Sequence, residues 1–147
     1  MKSINVNAPV THSETITINA KPVTVWRLLT NINEWPRWQK DISYAKIDGE
    51  IQENISFTWK TGGAKITSVI HTAEATKCLG WTGTTFGATA IHNWTLTEKN
   101  NATEVLVEES MQGFLVVLLK KMFRKNLAQG MKNWLEVLKY ECEVQNA

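Results

Sequence analysis

The first ordered pattern along the chain is an alternation. Over residues 14–19, Ile16 and Ile18 share one face and Thr15 and Thr17 the other, the period of a half-buried strand. Ala20-Lys21-Pro22 breaks it, and Pro22 suits the first turn of a helix, where a missing N–H costs nothing. Val25, Trp26, Leu28 and Leu29 give that helix an apolar face, with its end predicted near Asn31. A second short helix is predicted next. Trp35, Trp38 and Ile42 stand at helical spacing, Asn31 or Asn33 is the expected cap, and Pro36 falls early enough to be tolerated.

From about Ser43 to Gln112 the period becomes that of strands, with β-branched and aromatic residues alternating with polar ones. Turns are predicted at Gly62-Gly63, within Glu74 to Lys77, within Thr84 to Gly87, and within Lys99 to Ala102. Each turn fixes which residues oppose one another. The first sets Trp59 against Ile66, Phe57 against Ser68 and Ile55 against Ile70. The second sets Ile70 against Trp81 and Thr72 against Leu79. The third sets Trp81 against Ala90 and Leu79 against His92. The last sets Leu96 against Val105, Trp94 against Val107 and His92 against Glu109.

The four hairpins share one inner face, carrying Ile55, Phe57, Trp59, Ile66, Ser68, Ile70, Leu79, Trp81, Gly83, His92, Trp94, Leu96, Val105, Val107, Glu109 and Met111. The opposite face carries Ser56, Thr58, Lys60, Lys65, Thr67, Thr82, Asn93, Thr95, Glu104 and Glu108 and is expected to be wet. After Gly113 a helix is predicted to about Glu143, with Phe123, Leu127, Met131, Trp134 and Leu138 as the stripe laid on the sheet. Gly130 sits mid-stripe, where glycine costs about 1 kcal/mol against Ala unless something there needs room. Cys78 reads as a small residue at a strand end.

Composition narrows the class. At 147 residues one domain is expected, over residues 1–147, large enough to hold a core without disulfides. Lys+Arg 16 against Asp+Glu 14 is too balanced for nucleic acid to be the main partner. Cys78 and Cys142 match no metal or redox spacing. The longest wholly apolar run, Phe114 to Leu119, is six residues, against about 20 for a membrane span. With no apolar stretch of signal-peptide length in Met1 to His12, a soluble, cytoplasmic protein without stable membrane insertion is expected. Monomer and homodimer stay open.

Strand, two short helices, meander and long C-terminal helix follow the order of the helix-grip fold. Ala20-x-x-x-x-Val25-Trp26-x-x-Leu29 followed by Trp35-Pro36-x-Trp38 resembles the opening of the polyketide cyclase/dehydrase and lipid-transport family of the START-like (SRPBCC) superfamily. Leu79-x-Trp81-x-Gly83, Gly87-x-x-x-x-His92-x-Trp94, Thr103-x-Val105 and Glu109-x-x-x-Gly113 resemble its central strands. Leu135-x-x-Leu138-Lys139-x-x-x-Glu143 resembles its closing helix. The resemblance runs from about residue 12 to 143. It implies an α+β helix-grip fold, in which a curved antiparallel sheet of about seven strands wraps on the long helix. It also implies an apolar cavity between the two, in a superfamily that includes lipid carriers, hormone receptors, cyclases and chaperone co-factors.

The chemistry-bearing candidates lie on the inner face. His92 opposite Glu109 is the centre, because ionisable groups meeting in an apolar interior must satisfy each other or serve a ligand. Three roles are open to the pair: tying the sheet, anchoring a ligand, or transferring a proton. Seven Trp against two Tyr is an unusual balance, and Trp35, Trp38, Phe57, Trp59, Trp81 and Trp94 form an expected cage for a flat or greasy ligand. Phe123, Leu127, Met131 and Trp134 face it from the helix; Ile70, Val107 and Met111 line it; Ser68 and Thr72 add polar contacts.

Lys120, Lys121, Arg124 and Lys125 form a basic segment, a solvated helix face or a dock for anionic lipid. His12, His71 and His92 fall on different elements, with His71 expected to face water, so no metal is expected. No phosphate loop or nucleophile elbow calls for a cofactor. The function expected is binding of a small hydrophobic molecule, lipid, polyketide-like or aromatic. The alternatives are a cyclase/aromatase-type enzyme using His92 and Glu109, and a chaperone-stimulating module without a ligand.

Overall fold

The computed structural model describes residues 1–146. Strand β1 (Val10–Ile18) is followed by helix α1 (Pro22–Thr30), a 3-10 turn (Ile32–Glu34) and the one-turn helix α2 (Trp35–Trp38). The meander comprises β2 (Ile42–Ile47), β3 (Ser56–Thr61), β4 (Ala64–Glu74), β5 (Cys78–Thr85), β6 (Ala88–Lys99) and β7 (Ala102–Gln112). Helices α3 (Phe114–Leu118) and α4 (Lys120–Asn146) close the chain. All strands join one antiparallel sheet in the order β1-β7-β6-β5-β4-β3-β2. Met131, Leu135, Leu138 and Cys142 of α4 are buried with the inner face of the sheet and with Val25, Leu28 and Leu29 of α1.

The turns follow from residues that tolerate positive φ. Gly62-Gly63 joins β3 to β4, and Asn100-Asn101, at φ 52 and 64, joins β6 to β7. Both hairpins have the predicted register. The other two differ. His71 is bulged, so Ile70 pairs with Trp81 as expected, but Thr72 pairs with Gly80 and Ala73 takes the place opposite Leu79. Between β5 and β6 the loop is Phe86-Gly87, with Gly87 at φ 70. The register therefore slides by two residues from the expected pairing. Trp81 faces His92, and Leu79 faces Trp94. A slip of two keeps every side chain on its face and changes only its neighbours.

Four further points emerge from the structure. Ile42 opens β2 instead of ending a helix, because α2 stops at Trp38. Neither Asn31 nor Asn33 caps that helix: the Asn33 side chain accepts from Ile47 N at 2.8 Å and donates to Ile47 O at 3.3 Å, clamping the outermost strand. Gly130 has no tight neighbour, since an added Cβ would meet nothing within 4 Å. The closing helix is also broken, at Leu119 (φ −113, ψ 37), into α3 and α4.

The outer face is not uniformly wet. The N-terminal segment lies across it: Asn93 Nδ2 donates to Lys2 O at 2.7 Å and Asn5 N donates to Ser110 Oγ at 2.9 Å. Asn93, expected in water, is 1% exposed. His71 is half-buried beside it, with Nδ1 2.8 Å from Thr72 Oγ1. Burial foremost, then the Lys2 and N-terminal ammonium groups, hold the His71 pKa below its ordinary 6.5 against the opposing pull of Asn93 and Glu53. Folded His71 thus binds a proton less readily than unfolded His71. Its contribution to stability is complete above pH 6.5 and is lost as pH falls from there toward the folded value. The urea midpoint is expected to fall on acidification through this window, and to fall less in His71→Gln. Equal falls in both proteins would assign the whole acid loss to other groups.

Candidate functional site

The inner face is built of register rows. One row runs His12, Glu109, His92, Trp81 and Ile70 across β1, β7, β6, β5 and β4. The row on one side of it holds Glu14, Val107, Trp94 and Leu79; on the other lie Val10, Met111, Ala90, Gly83, Ser68 and Phe57. Strand alternation thus sets four ionisable side chains, His12, Glu14, His92 and Glu109, on the face that otherwise forms the core.

His92 Nδ1 lies 3.1 Å from Glu109 Oε1, with the two side chains 13% and 15% exposed. The imidazole stacks on the Trp81 ring at 4.6 Å and 16°, and stands 5.4 Å from the Trp94 ring. With Glu109 ionised, the neutral ring must carry its proton on Nδ1, which leaves Nε2 as an acceptor. Among the described residues no group hydrogen-bonds His92 Nε2, and the buried Trp94 Nε1 has no acceptor. The arrangement offers one acceptor and one donor on a wall of aromatic carbon. Beside it His12 Nε2 lies 2.8 Å from Glu14 Oε1, with exposures of 27% and 23%, so this part of the inner face can be reached by solvent. Among the described residues no three His, Cys, Asp or Glu side chains are spaced to hold a metal ion.

The aromatic residues meet as expected, but they meet each other. Trp35 is fully buried and packs against Phe57, Trp59, Trp81 and Trp134 at centroid distances of 5.3–5.9 Å. Trp134 also reaches Trp38 and Trp94 at 5.5 Å. Trp35 Nε1 donates to Leu29 O at 3.2 Å, and Trp59 Nε1 to Ser68 Oγ at 3.1 Å, so the Ser68 hydroxyl already has a partner. Ile70 and Val107 are fully buried, and Met131 is 4% exposed.

Thr72 is displaced from the expected lining. The bulge puts it in register with Gly80 and Asn93, in the row that the N-terminal segment covers. Phe123 and Met111 belong to a second small cluster around Val10, Ala88 and Val116, and Leu127 touches both clusters. Two open hollows lie outside the interior: about 540 Å³ beside Lys21, Pro22, Lys77 and Leu96, and about 430 Å³ along residues 118–122.

Sequence reasoning misses His12 and Glu14 as site residues. The signal is present, because the alternation of Ile16 and Ile18 continues back through Glu14 and His12, but their polarity ends the hydrophobic pattern short of the strand's start at Val10. Only pairing with β7 brings them beside Glu109.

The sequence model of the family described as polyketide cyclase / dehydrase and lipid transport matches residues 9–140. The chain belongs to that family. No curated protein matches the sequence. Solved structures share the fold at low identity. A hypothetical protein, jhp0584 of Helicobacter pylori, superposes with a TM-score of 0.84 at 16% identity, covering 97% of both chains. The Zhui aromatase/cyclase of Streptomyces sp. R1128 gives 0.83 at 12% identity, over 93% of this chain and 95% of that one. A START superfamily protein of Mycobacterium smegmatis gives 0.78 at 12%, over 92% and 98%. Family and neighbours establish a START-like, helix-grip fold whose members are associated with cyclase chemistry or lipid transport, and they leave the ligand of this chain to its own residues.

Proposed function

We propose that the chain acts over its whole length as a single binding domain for a small hydrophobic molecule carrying at least one polar group. The reading places the ligand between the sheet and α4, on the side of the Trp81–His92 stack away from Trp35. The observation that carries it is the His92–Glu109 pair, almost covered, stacked on Trp81, and left with an imidazole nitrogen that no protein group satisfies. A purely structural pair would use both ends of the ring, since a buried unpaired polar atom costs about 1–3 kcal/mol. Trp81, Trp94, Met111, Phe123 and Leu127 supply the apolar surround, and His12 and Glu14 the polar rim. Cys78 and Cys142, both free thiols, suit the reducing cytoplasm.

A second reading, a cyclase/aromatase-type enzyme, is favoured by one feature. Glu109 holds His92 in the tautomer whose Nε2 can accept a proton, the arrangement of an oriented general base. Against it stands the shortage of polar groups to position a polyketide on the aromatic wall.

Native and denaturing mass spectra of freshly purified protein test the primary reading. A small molecule released on denaturation is the expected result, and its mass names its class. His92→Ala is then expected to weaken that molecule's binding by several-fold, up to about tenfold, the loss of one neutral hydrogen bond. Unchanged affinity in a folded His92→Ala protein would reduce the pair to a tie across the sheet. A bell-shaped rate profile with a polyketide substrate, abolished in His92→Ala, would favour the enzyme instead.

A further inference from the structure

One end of the molecule exposes apolar side chains in a way its core does not require. Phe86 in the β5–β6 turn is 80% exposed, Phe114, Val117 and Leu118 of α3 are 61%, 62% and 73% exposed, and Met122 at the start of α4 is 48% exposed. The fold gathers them deliberately. Gly113 and Gly87 approach so closely that a Cβ on Gly113 would collide with the Gly87 carbonyl, and Leu115 N donates to Gly87 O at 3.1 Å. The contact sets the Phe114 ring edge-on to Phe86 at 5.6 Å. Phe86, Phe114, Val117 and Leu118 thus sit on a turn and a short helix that backbone contact holds together.

The charges that follow this tip along the chain are all of one sign. Lys120, Lys121, Arg124 and Lys125 are exposed, and no acidic residue lies between Glu109 and Glu136 in the sequence. Among the described residues none of the four takes part in an ion pair; the pairs present all lie elsewhere.

We infer that this end, formed by the β5–β6 turn, α3 and the first turns of α4, docks on anionic lipid bilayers. Phe86, Phe114 and Leu118 enter the acyl boundary while the four cations lie at the phosphate plane. A second copy of the chain fits poorly, because face-to-face association would bring the two basic clusters together. The contact is peripheral: among the described residues no helix is long and apolar enough to cross a membrane. The inference stands on this surface alone and does not depend on what the interior binds.

Sedimentation with vesicles of phosphatidylcholine, alone or mixed with phosphatidylglycerol, reads the docking directly. The protein is expected to pellet with the anionic vesicles, to pellet much less with the neutral ones, and to be released as salt is raised. Lys121→Ser and Arg124→Ser are each expected to weaken anionic binding by about fivefold, the usual contribution of one basic residue at such a surface. Phe86→Ser combined with Leu118→Ser is expected to abolish pelleting while leaving the thermal midpoint unchanged, since both side chains face solvent. Equal pelleting with both vesicle types, or none with either, overturns the inference. So does self-association of the native protein without vesicles that Leu118→Ser abolishes, which would assign the surface to a second copy.

Discussion

Trp35→Ala is expected to lower the unfolding free energy by about 3–5 kcal/mol, the range for truncating a fully buried Trp. Three losses combine. The indole is 0% exposed, so its whole transfer free energy is forfeited. Four aromatic rings, from β3, β5 and α4, lose the ring they pack against, and they cannot all close on the space because they are anchored to three different elements. Leu29 O also loses the indole N–H that it accepts at 3.2 Å. Against a typical total stability of about 5–15 kcal/mol this is a large fraction, and a thermal midpoint roughly 8–16 °C lower is expected. Urea unfolding of Trp35→Ala and Trp35→Phe checks it, with the Phe variant losing less because it keeps a ring in the same place. The measurement also bears on function. A loss below about 1 kcal/mol would mean that these rings line a space instead of filling one another, and the ligand site would then extend through the aromatic cluster.

Gly80→Ala is expected to cost about 1–3 kcal/mol, the range for forcing a methyl group into a packed site. Gly80 pairs with Thr72 and Asn93 on the outer face, and its φ is not the reason glycine is needed. The reason is space. A Cβ there would overlap the His71 ring and come within 2.5 Å of Asn93 Oδ1. Neither neighbour is free to leave. His71 is tied to Thr72 Oγ1, and Asn93 holds Lys2 O through its amide. The methyl group therefore has to lift the N-terminal segment or break the bulge. Chemical unfolding of Gly80→Ala, His71→Ser and the double variant separates the causes. The double variant is expected to recover much of the loss, because removing the ring makes room. Strict additivity of the two single effects would refute the collision as the cause.

The particular residues explain how far the sequence carries. Gly62-Gly63 and Asn100-Asn101 set their hairpins by local turn chemistry, so the pairs Phe57–Ser68 and His92–Glu109 were legible without tertiary information. The segment 84–87 offers more than one two-residue loop, and the choice of Phe86-Gly87 is fixed by docking against Leu115 and Gly113, far along the chain. That choice sets Trp81 against His92. The aromatic stack in the candidate site is thus a consequence of a long-range contact at the exposed tip of the molecule.

Asn93 and His71 carry the same lesson on the other face. Alternation correctly sends both away from the core, but alternation cannot report that residues 2–5 return to cover them.

The order of elements, the two faces of the sheet, the set of aromatic residues that meet and the pairing of His92 with Glu109 were legible along the chain. These rest on periodicity and turn residues, which act over a few positions. The company those residues keep came from the packed fold. Trp35 is enclosed by Phe57, Trp59, Trp81 and Trp134. His12 and Glu14 join Glu109 through β1–β7 pairing. Phe86 meets Phe114 beside a basic helix. A side chain's face is set by its own strand, whereas its neighbours depend on register, bulges and segments folded back from afar.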